Sequence, residues 1–215
     1  MPQSLTRRDF LKIGCGSAVA ATPACAGLGV LATRSPDISL VDTQSAGTPS
    51  TNRILVAYAT RAGATIQVAQ TIGETLAATG AAVDVRPITR VNDLKGYTAM
   101  VIGSAIRMGK WLPEATEFVK SNQSTLATAP TACFLVCATL HEDTVETRTK
   151  VLTYLNPIRP ILKPTSIGLF AGKMNYDTLS LLDRAMVQSK VPQGDWRNWD
   201  AIRAWARDLP TMLRA

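Results

Sequence analysis

The chain has 215 residues, of which 46% are hydrophobic and 18% charged, so it is long and apolar enough to fold around its own core, and a disordered chain is excluded. A single histidine, His141, argues against zinc sites and histidine-dependent triads. The net charge of +7 comes without a run of basic residues interleaved with aromatic ones. We therefore expect no metal site and no nucleic-acid partner.

Residues 1–33 have the pattern of a targeting segment. Arg7-Arg8-Asp9-Phe10-Leu11-Lys12 precedes 21 residues without a charge, 13–33, and this pattern resembles a twin-arginine (Tat) export signal. The resemblance implies the Tat translocase as an export partner and a periplasmic or other extracytoplasmic location. Cleavage near Ala24-Cys25-Ala26, lipidation of Cys25 at a degraded lipoprotein box, and no cleavage are the alternatives, and because about 20 apolar residues cross a bilayer, membrane tethering is favoured over release.

The next segment, 34–52, is rich in Ser, Thr, Pro and Gly and lacks helical periodicity. This composition predicts a flexible linker. The folded domain is then expected over 53–215.

From residue 53 onward, short β-rich runs alternate with helical stretches. The first, third and fourth runs are almost continuously apolar, which is typical of parallel strands covered by helices on both faces. The pattern predicts a three-layer, doubly wound α/β fold with a five-stranded parallel sheet. Strands are expected at 53–59, 82–87, 98–103, 131–137 and 165–171, and helices at 64–79, 112–124, 143–155 and 198–214.

The domain contains two cysteines, Cys133 and Cys137, in one predicted strand. Four strand residues separate their Cα atoms by about 13 Å, beyond the reach of a disulfide. We interpret both as buried apolar side chains.

The loop after the first strand, 60–65, has features of a phosphate site. It has hydroxyls at both ends and a glycine that lets the backbone come close to a ligand. A helix follows directly, and its first backbone amides are expected to be free to bind a phosphate. Without other context, the same loop would be an ordinary strand-to-helix turn. Its residues are Thr60, Arg61, Ala62, Gly63, Ala64 and Thr65, and Arg61 is either a charge for the phosphate or a solvated side chain.

The loops after the third and fourth strands meet the first at one edge of the sheet, where open α/β sheets bind ligands. Small residues and glycines there are expected to flank a flat ring, and Trp111 or Met108 is expected to stack on it, unless Trp111 packs under the loop. The residues concerned are Ser104, Ala105, Ile106, Arg107, Met108, Gly109, Trp111, Ala138, Thr139 and Leu140.

Together these loops resemble the flavodoxin layout, with strand order 2-1-3-4-5 and FMN across the switch point. A closer likeness is to the flavodoxin-type, quinone-dependent protoporphyrinogen IX dehydrogenase family. It rests on the Val-Ile-Gly-x-x-Ile-Arg-x-Gly motif at 101–109, on 170–176, and on the long insert 174–197 followed by the Asp-Trp-Arg-Asn-Trp-Asp sequence at 195–200. The chain departs from that family in its Tat-like signal and in Met108, Lys110 and Trp111.

The resemblance implies an FMN-binding oxidoreductase with a redox partner or quinone as acceptor. Positive charge from Arg107 and Lys110 near the flavin would raise its potential. The insert 174–197 is expected either to contact a membrane or quinone or to pack on the domain edge, and His141 either to donate to the ligand or to be solvated. Two alternatives remain open: an electron shuttle without a substrate pocket, and, because of Ala62, a module without cofactor.

Overall fold

The central sheet contains the five strands that the sequence predicts. In a computed structural model, residues 38–44, 52–189 and 191–213 are described. The parallel strands lie in the order β2-β1-β3-β5-β6, which is the predicted order 2-1-3-4-5 of the five central strands. The strands are β1 (Arg53–Ala59), β2 (Ala82–Pro87), β3 (Ala99–Arg107), β4 (Lys110–Trp111), β5 (Thr131–Cys137), β6 (Ser166–Ala171), β7 (Lys173–Met174) and β8 (Gly194–Asp195).

Helices cover both faces of the sheet and complete three layers. One face packs against α1 and α6, and the other against α2, α3 and α4. This arrangement confirms the doubly wound α/β fold and explains why β1 and β5 are apolar along almost their whole length. The helices are α1 (Ala64–Ala77), α2 (Pro113–Ser121), α3 (Gln123–Leu126), α4 (Val145–Thr153), α5 (Leu181–Val187) and α6 (Trp199–Met212).

The end of β3 differs from the sequence-based expectation. β3 continues to Arg107 and turns back through Met108 and Gly109 into β4, where Arg107 pairs with Lys110. Both turn residues have positive φ, 52° at Met108 and 71° at Gly109, as tight antiparallel hairpins with two-residue turns require. A methionine rarely adopts this conformation, so the sequence did not predict the hairpin.

Part of the segment that we expected to be a linker is docked on the domain. Thr43 exchanges two backbone hydrogen bonds with Val85 on the free edge of β2. The Tyr58 hydroxyl accepts from the Val41 amide and donates to the Val41 carbonyl at 2.9 and 2.7 Å, and Asp42 forms an ion pair with Arg86. We call residues 38–44 the strap, because these contacts hold them against the sheet.

The core contains both cysteines and the carboxylate of Asp84. Cys133 and Cys137 are buried and unbridged, and burial raises the pKa of each thiol. Asp84 on β2 is fully buried, and it accepts from Arg53 at 2.7 Å and from the Tyr97 hydroxyl at 2.6 Å. These contacts compensate the cost of burying the carboxylate.

Candidate functional site

A cavity of about 290 Å³ opens at the carboxyl edge of the sheet, which is where ligands bind in open α/β folds. The loops after β1, β3 and β5 converge on it, as the sequence predicts. Twelve of the sixteen predicted site residues lie in its wall: Thr60, Arg61, Ala62, Ala64, Thr65, Ala105, Ile106, Arg107, Met108, Gly109, Ala138 and Thr139.

The loop 60–65 is built to expose backbone amides. Gly63 has a φ of 84° and precedes the first residue of α1, and its amide donates to the Thr60 hydroxyl oxygen at 3.1 Å. The first amides of a helix have no acceptor within the helix. Gly63 itself lines a neighbouring cavity, on the side of the loop that faces the strap.

Thr65, in the first turn of α1, carries an unused polar group. It is buried, it belongs to the cavity wall, and its hydroxyl has no hydrogen-bond partner within the described part of the chain. A buried hydroxyl without a partner costs about 1–3 kcal/mol. The site therefore fits an anionic ligand group placed at the N-terminus of α1, which would supply the missing partner.

Three of the predicted residues lie in the core and not in the cavity wall. Ser104 is fully buried, where its hydroxyl donates to the Ala105 carbonyl and accepts from the Leu112 amide. Trp111 and Leu140 are buried in the apolar cluster beneath the sheet. The structure thus directs the Trp111 side chain from β4 into the core, where it supports the hairpin from below. Exposed Met108, at the turn of the hairpin, reaches the cavity.

The turn after β5 gives Ala138 and Thr139 to the cavity and directs His141 elsewhere. The His141 Nδ1 lies 3.0 Å from the Ala138 carbonyl oxygen, and the ring contacts Trp196 edge-on with centroids 5.5 Å apart. His141 is absent from the cavity wall. Its contacts support a structural role in joining this turn to the end of the insert.

The insert contributes a wall of the cavity that sequence reasoning did not identify. We expect the insert either to contact a membrane or quinone or to pack on the domain edge, and the structure shows that it lines the cavity with mainly apolar side chains. The motif at 170–176 and the insert itself pointed to this region without showing that it forms a wall of the cavity. The additional wall residues are Gly172, Lys173, Met174, Asn175, Leu179, Asp183, Met186, Val187 and Val191, besides Val136 and Cys137 at the end of β5.

An ion pair fastens the insert to the β3–β4 hairpin. The Arg107 guanidinium donates to Asp183 Oδ1 at 2.6 and 3.0 Å, and the Ser180 hydroxyl donates to the second carboxylate oxygen at 2.9 Å. We expected Arg107 to place positive charge beside the ligand. The structure instead neutralises that charge with Asp183.

We expect Asp183→Asn to loosen the insert without unfolding the domain. A hydrogen bond to a charged group contributes about 1.5–3 kcal/mol, so amide exchange over 181–189 should become about tenfold faster or more. Hydrogen-exchange mass spectrometry measures this effect. Asp177→Asn, in the same insert and outside any ion pair with described residues, is the control. Equal exchange in both variants would show that the Arg107–Asp183 ion pair does not hold the insert in place.

A second ion pair, between Asp195 and Arg197, lies at the far end of the insert, and a hydrogen bond from Arg197 to Gln67 joins it to α1. Arg197 donates to both carboxylate oxygens of Asp195 and to the side-chain oxygen of Gln67. Its guanidinium lies over the Trp199 ring, 4.5 Å from the centroid. The hydrogen bonds from Arg197 lower the pKa of Asp195.

The lowered pKa predicts acid sensitivity at this anchor. A carboxylate whose pKa is lower in the folded state stabilises the fold above its unfolded pKa, about 4, and loses that contribution as the pH falls through the folded value. The effect should be small because the Asp195 side chain is 41% exposed. In urea unfolding, the difference in the free energy of unfolding between wild type and Asp195→Asn should shrink below about pH 4. A difference that does not change with pH would contradict this.

Over 38–44, 52–189 and 191–213 there is no cluster of three or more potential metal ligands among His, Cys, Asp and Glu. In the same described ranges, none of the helices has the length and apolar character needed to span a bilayer. The expected signal and tether, 1–33, lie outside the described residues.

Sequence comparison identifies the class of protein that this fold and cavity represent. The Flavodoxin domain family matches residues 55–192. The chain belongs to this family, and its sheet order and carboxyl-edge cavity are those of a flavodoxin-like protein.

Two curated relatives extend the likeness. The chain is 29% identical to protoporphyrinogen IX dehydrogenase [quinone] of Leishmania major over 74% of this chain and 75% of the relative. It is 24% identical to the protein of that name in Escherichia coli K12 over 73% of this chain and 94% of the relative. Among solved structures, a short-chain flavodoxin associated with a non-canonical PDU bacterial microcompartment aligns with a TM-score of 0.51 and 15% identity, covering 75% of this chain and 99% of the other.

Proposed function

We propose that this protein binds FMN noncovalently in the carboxyl-edge cavity and acts as an oxidoreductase that passes electrons to a quinone. The observation that carries the proposal is the loop 60–65, where no side chain caps the start of α1 and the buried Thr65 hydroxyl has no partner among the described residues. Membership of the Flavodoxin domain family supports a flavin as the ligand.

The residues present fit the cofactor. Thr65 and the amides at the start of α1 would hold the phosphate, with exposed Arg61 nearby. Ala105, Ala138 and Thr139 leave room for a flat ring between the loops after β3 and β5. FMN, when bound, supplies the two-electron chemistry.

The chain's own residues would position the cofactor and keep water away from it. The hairpin holds Met108 and Gly109 beside the cavity in a fixed turn, and the Arg107–Asp183 pair holds the insert across it. Because that pair is neutral overall, other exposed cations near the cavity, such as Lys110 and Lys173, would favour a reduced flavin. No described residue of the cavity wall stands out as a catalytic acid or base.

The quinone as acceptor is supported by the two curated relatives, whose names specify it, and by the apolar side chains that the insert adds to the cavity. The test is stopped-flow reoxidation of the chemically reduced holoprotein by a short-chain ubiquinone and by a menaquinone analogue. Saturable reoxidation that is fast relative to reoxidation by oxygen supports the proposal. Reoxidation by a protein partner alone would favour the electron-shuttle alternative.

We also propose that the protein works outside the cytoplasm after Tat export and remains tethered to the membrane through 13–33, with the insert 174–197 in membrane contact. The Arg7-Arg8 motif and the 21 uncharged residues after it support this location. Fractionation of cells with and without an active Tat translocase tests it. An equal distribution in both would contradict Tat export.

A further inference from the structure

Helix α5 packs with its charged side chain inward and its apolar side chains outward. Asp183 is its only buried residue, whereas Leu181, Leu182 and Met186 are 48–67% exposed. A helix on a water-facing surface normally has the opposite orientation. The exposed face of α5 is therefore suited to an apolar environment.

Met108 extends this apolar face across the mouth of the cavity. It is 68% exposed at the tip of the hairpin, and the ion pair between its neighbour Arg107 and Asp183 joins the hairpin to α5. We call Met108, Leu181, Leu182 and Met186 the apolar rim. The rim thus combines two separate elements at the carboxyl edge of the sheet.

The charged residues of the cavity wall are mainly positive, with Arg61, Arg107 and Lys173 against Asp183. Asp183 and Asp195 at this edge are neutralised by arginines, and Asp143 is paired with Arg148. Glu142, near His141, Glu146 in the first turn of α4, and Asp177 are exposed acids near this edge. Four exposed cations around the cavity mouth form no ion pair with a described residue: Arg61, Lys110, Lys173 and Arg184. Such an apolar patch surrounded by basic residues has the chemistry of a surface that contacts anionic lipid.

The strap brings the preceding chain to the same edge. Thr43 pairs antiparallel with Val85, so the strap runs from the carboxyl edge towards the amino edge, and Ile38 lies beside Gly63. Only residues 34–37 separate Ile38 from the uncharged stretch 13–33. Even fully extended, this connection spans only about 18 Å.

We propose that the carboxyl edge of the sheet faces an anionic bilayer, with the apolar rim in contact with lipid and the mouth of the cavity directed at the membrane. The proposal rests on the membrane location proposed above and adds an orientation to it. Residues 13–33 tether the chain, while the strap and the rim decide which end of the domain meets the lipid. A quinone can then reach the cavity without leaving the bilayer.

Quenching of a fluorescent label by nitroxide lipids tests this orientation. The full chain, with Cys15→Ser and Cys25→Ser, is reconstituted into vesicles of phosphatidylcholine and phosphatidylglycerol that carry a headgroup-proximal nitroxide. One sample is labelled at Leu182→Cys in the rim, and its matched control at Thr128→Cys, an exposed position before β5 at the amino edge. Cys133 and Cys137 are buried and should remain unlabelled.

We expect strong quenching at position 182 and none at position 128. Adding Leu181→Gln and Met186→Gln to the rim-labelled protein should weaken the quenching, whereas Val145→Gln and Met212→Gln, which replace exposed apolar side chains outside the rim, should leave it unchanged. Equal quenching at both positions, stronger quenching at 128, or no association with vesicles would overturn the proposal.

Flavin content, measured on the same samples, separates this proposal from the proposed function. Quenching at 182 in protein that holds no FMN would leave the orientation standing and remove the redox role. Full FMN content without quenching at 182 would remove the orientation alone.

Discussion

Replacing Gly103 by alanine is expected to destabilise the protein by about 3 kcal/mol or more, since overpacking a tight core costs 1–3 kcal/mol and occasionally more. Gly103 lies in the middle of β3, and a Cβ atom there would stand 1.9 Å from Phe134 Cζ. The Phe134 ring is fully buried, with its centroid 6.5 Å from that of Phe170 and 6.4 Å from that of Trp205. The ring cannot move aside without disturbing both neighbours.

Urea unfolding of Gly103→Ala measures this loss, and two variants serve as controls. Gly96→Ala meets no atom within 4 Å but has a φ of 82°, so it should cost only the backbone strain of about 1–2 kcal/mol. Adding Phe134→Leu to Gly103→Ala should relieve the clash, making the double variant less destabilised than the sum of the two single effects. Additive effects, or a Gly103→Ala variant as stable as Gly96→Ala, would contradict the packing.

Thr65→Val is expected to weaken FMN binding about 10- to 100-fold while leaving the apoprotein at least as stable as wild type. The substitution keeps the shape and removes the hydroxyl, which lacks a partner within the described part of the protein. A hydrogen bond to a charged phosphate is worth about 1.5–3 kcal/mol, and every 1.4 kcal/mol is tenfold in affinity. The apoprotein gains because an unsatisfied buried polar group disappears.

Fluorescence titration with FMN and thermal unfolding without it measure the two halves of this prediction. Thr60→Val is the matched control, because the Thr60 hydroxyl accepts from the Gly63 amide within the loop. That variant should lose stability as well as affinity. Unchanged FMN affinity in Thr65→Val would show that the phosphate does not lie at the start of α1.

The fold could be predicted because apolar, strand-like runs alternate with helical stretches along the chain. Apolar runs such as 131–137 are buried on both faces in the structure, whereas the order of the strands was expected from the resemblance to flavodoxins. The same periodicity located the loop 60–65 at the end of β1. These features depend on local sequence and on burial, which a sequence displays directly.

The remaining features depend on contacts between distant residues. Arg107 and Asp183 are 76 positions apart, so no local pattern shows that they pair or that the insert covers the cavity. The strap depends on a hydrogen-bonded pair between Tyr58 and Val41, within a segment whose composition is that of a linker. The sequence left Trp111 open between stacking on the ligand and packing under the loop, because the hairpin that buries it depends on a positive φ at Met108.

The most direct test of FMN binding is the absorbance spectrum of the protein purified without refolding, together with mass spectrometry of the ligand that it releases. We predict the absorbance bands of an oxidised flavin and one equivalent of FMN per chain. In Thr65→Val, both the intensity of these bands and the amount of FMN per chain should be lower. A colourless protein that also fails to bind added FMN would contradict the account, leaving a flavodoxin-like domain that has lost its cofactor.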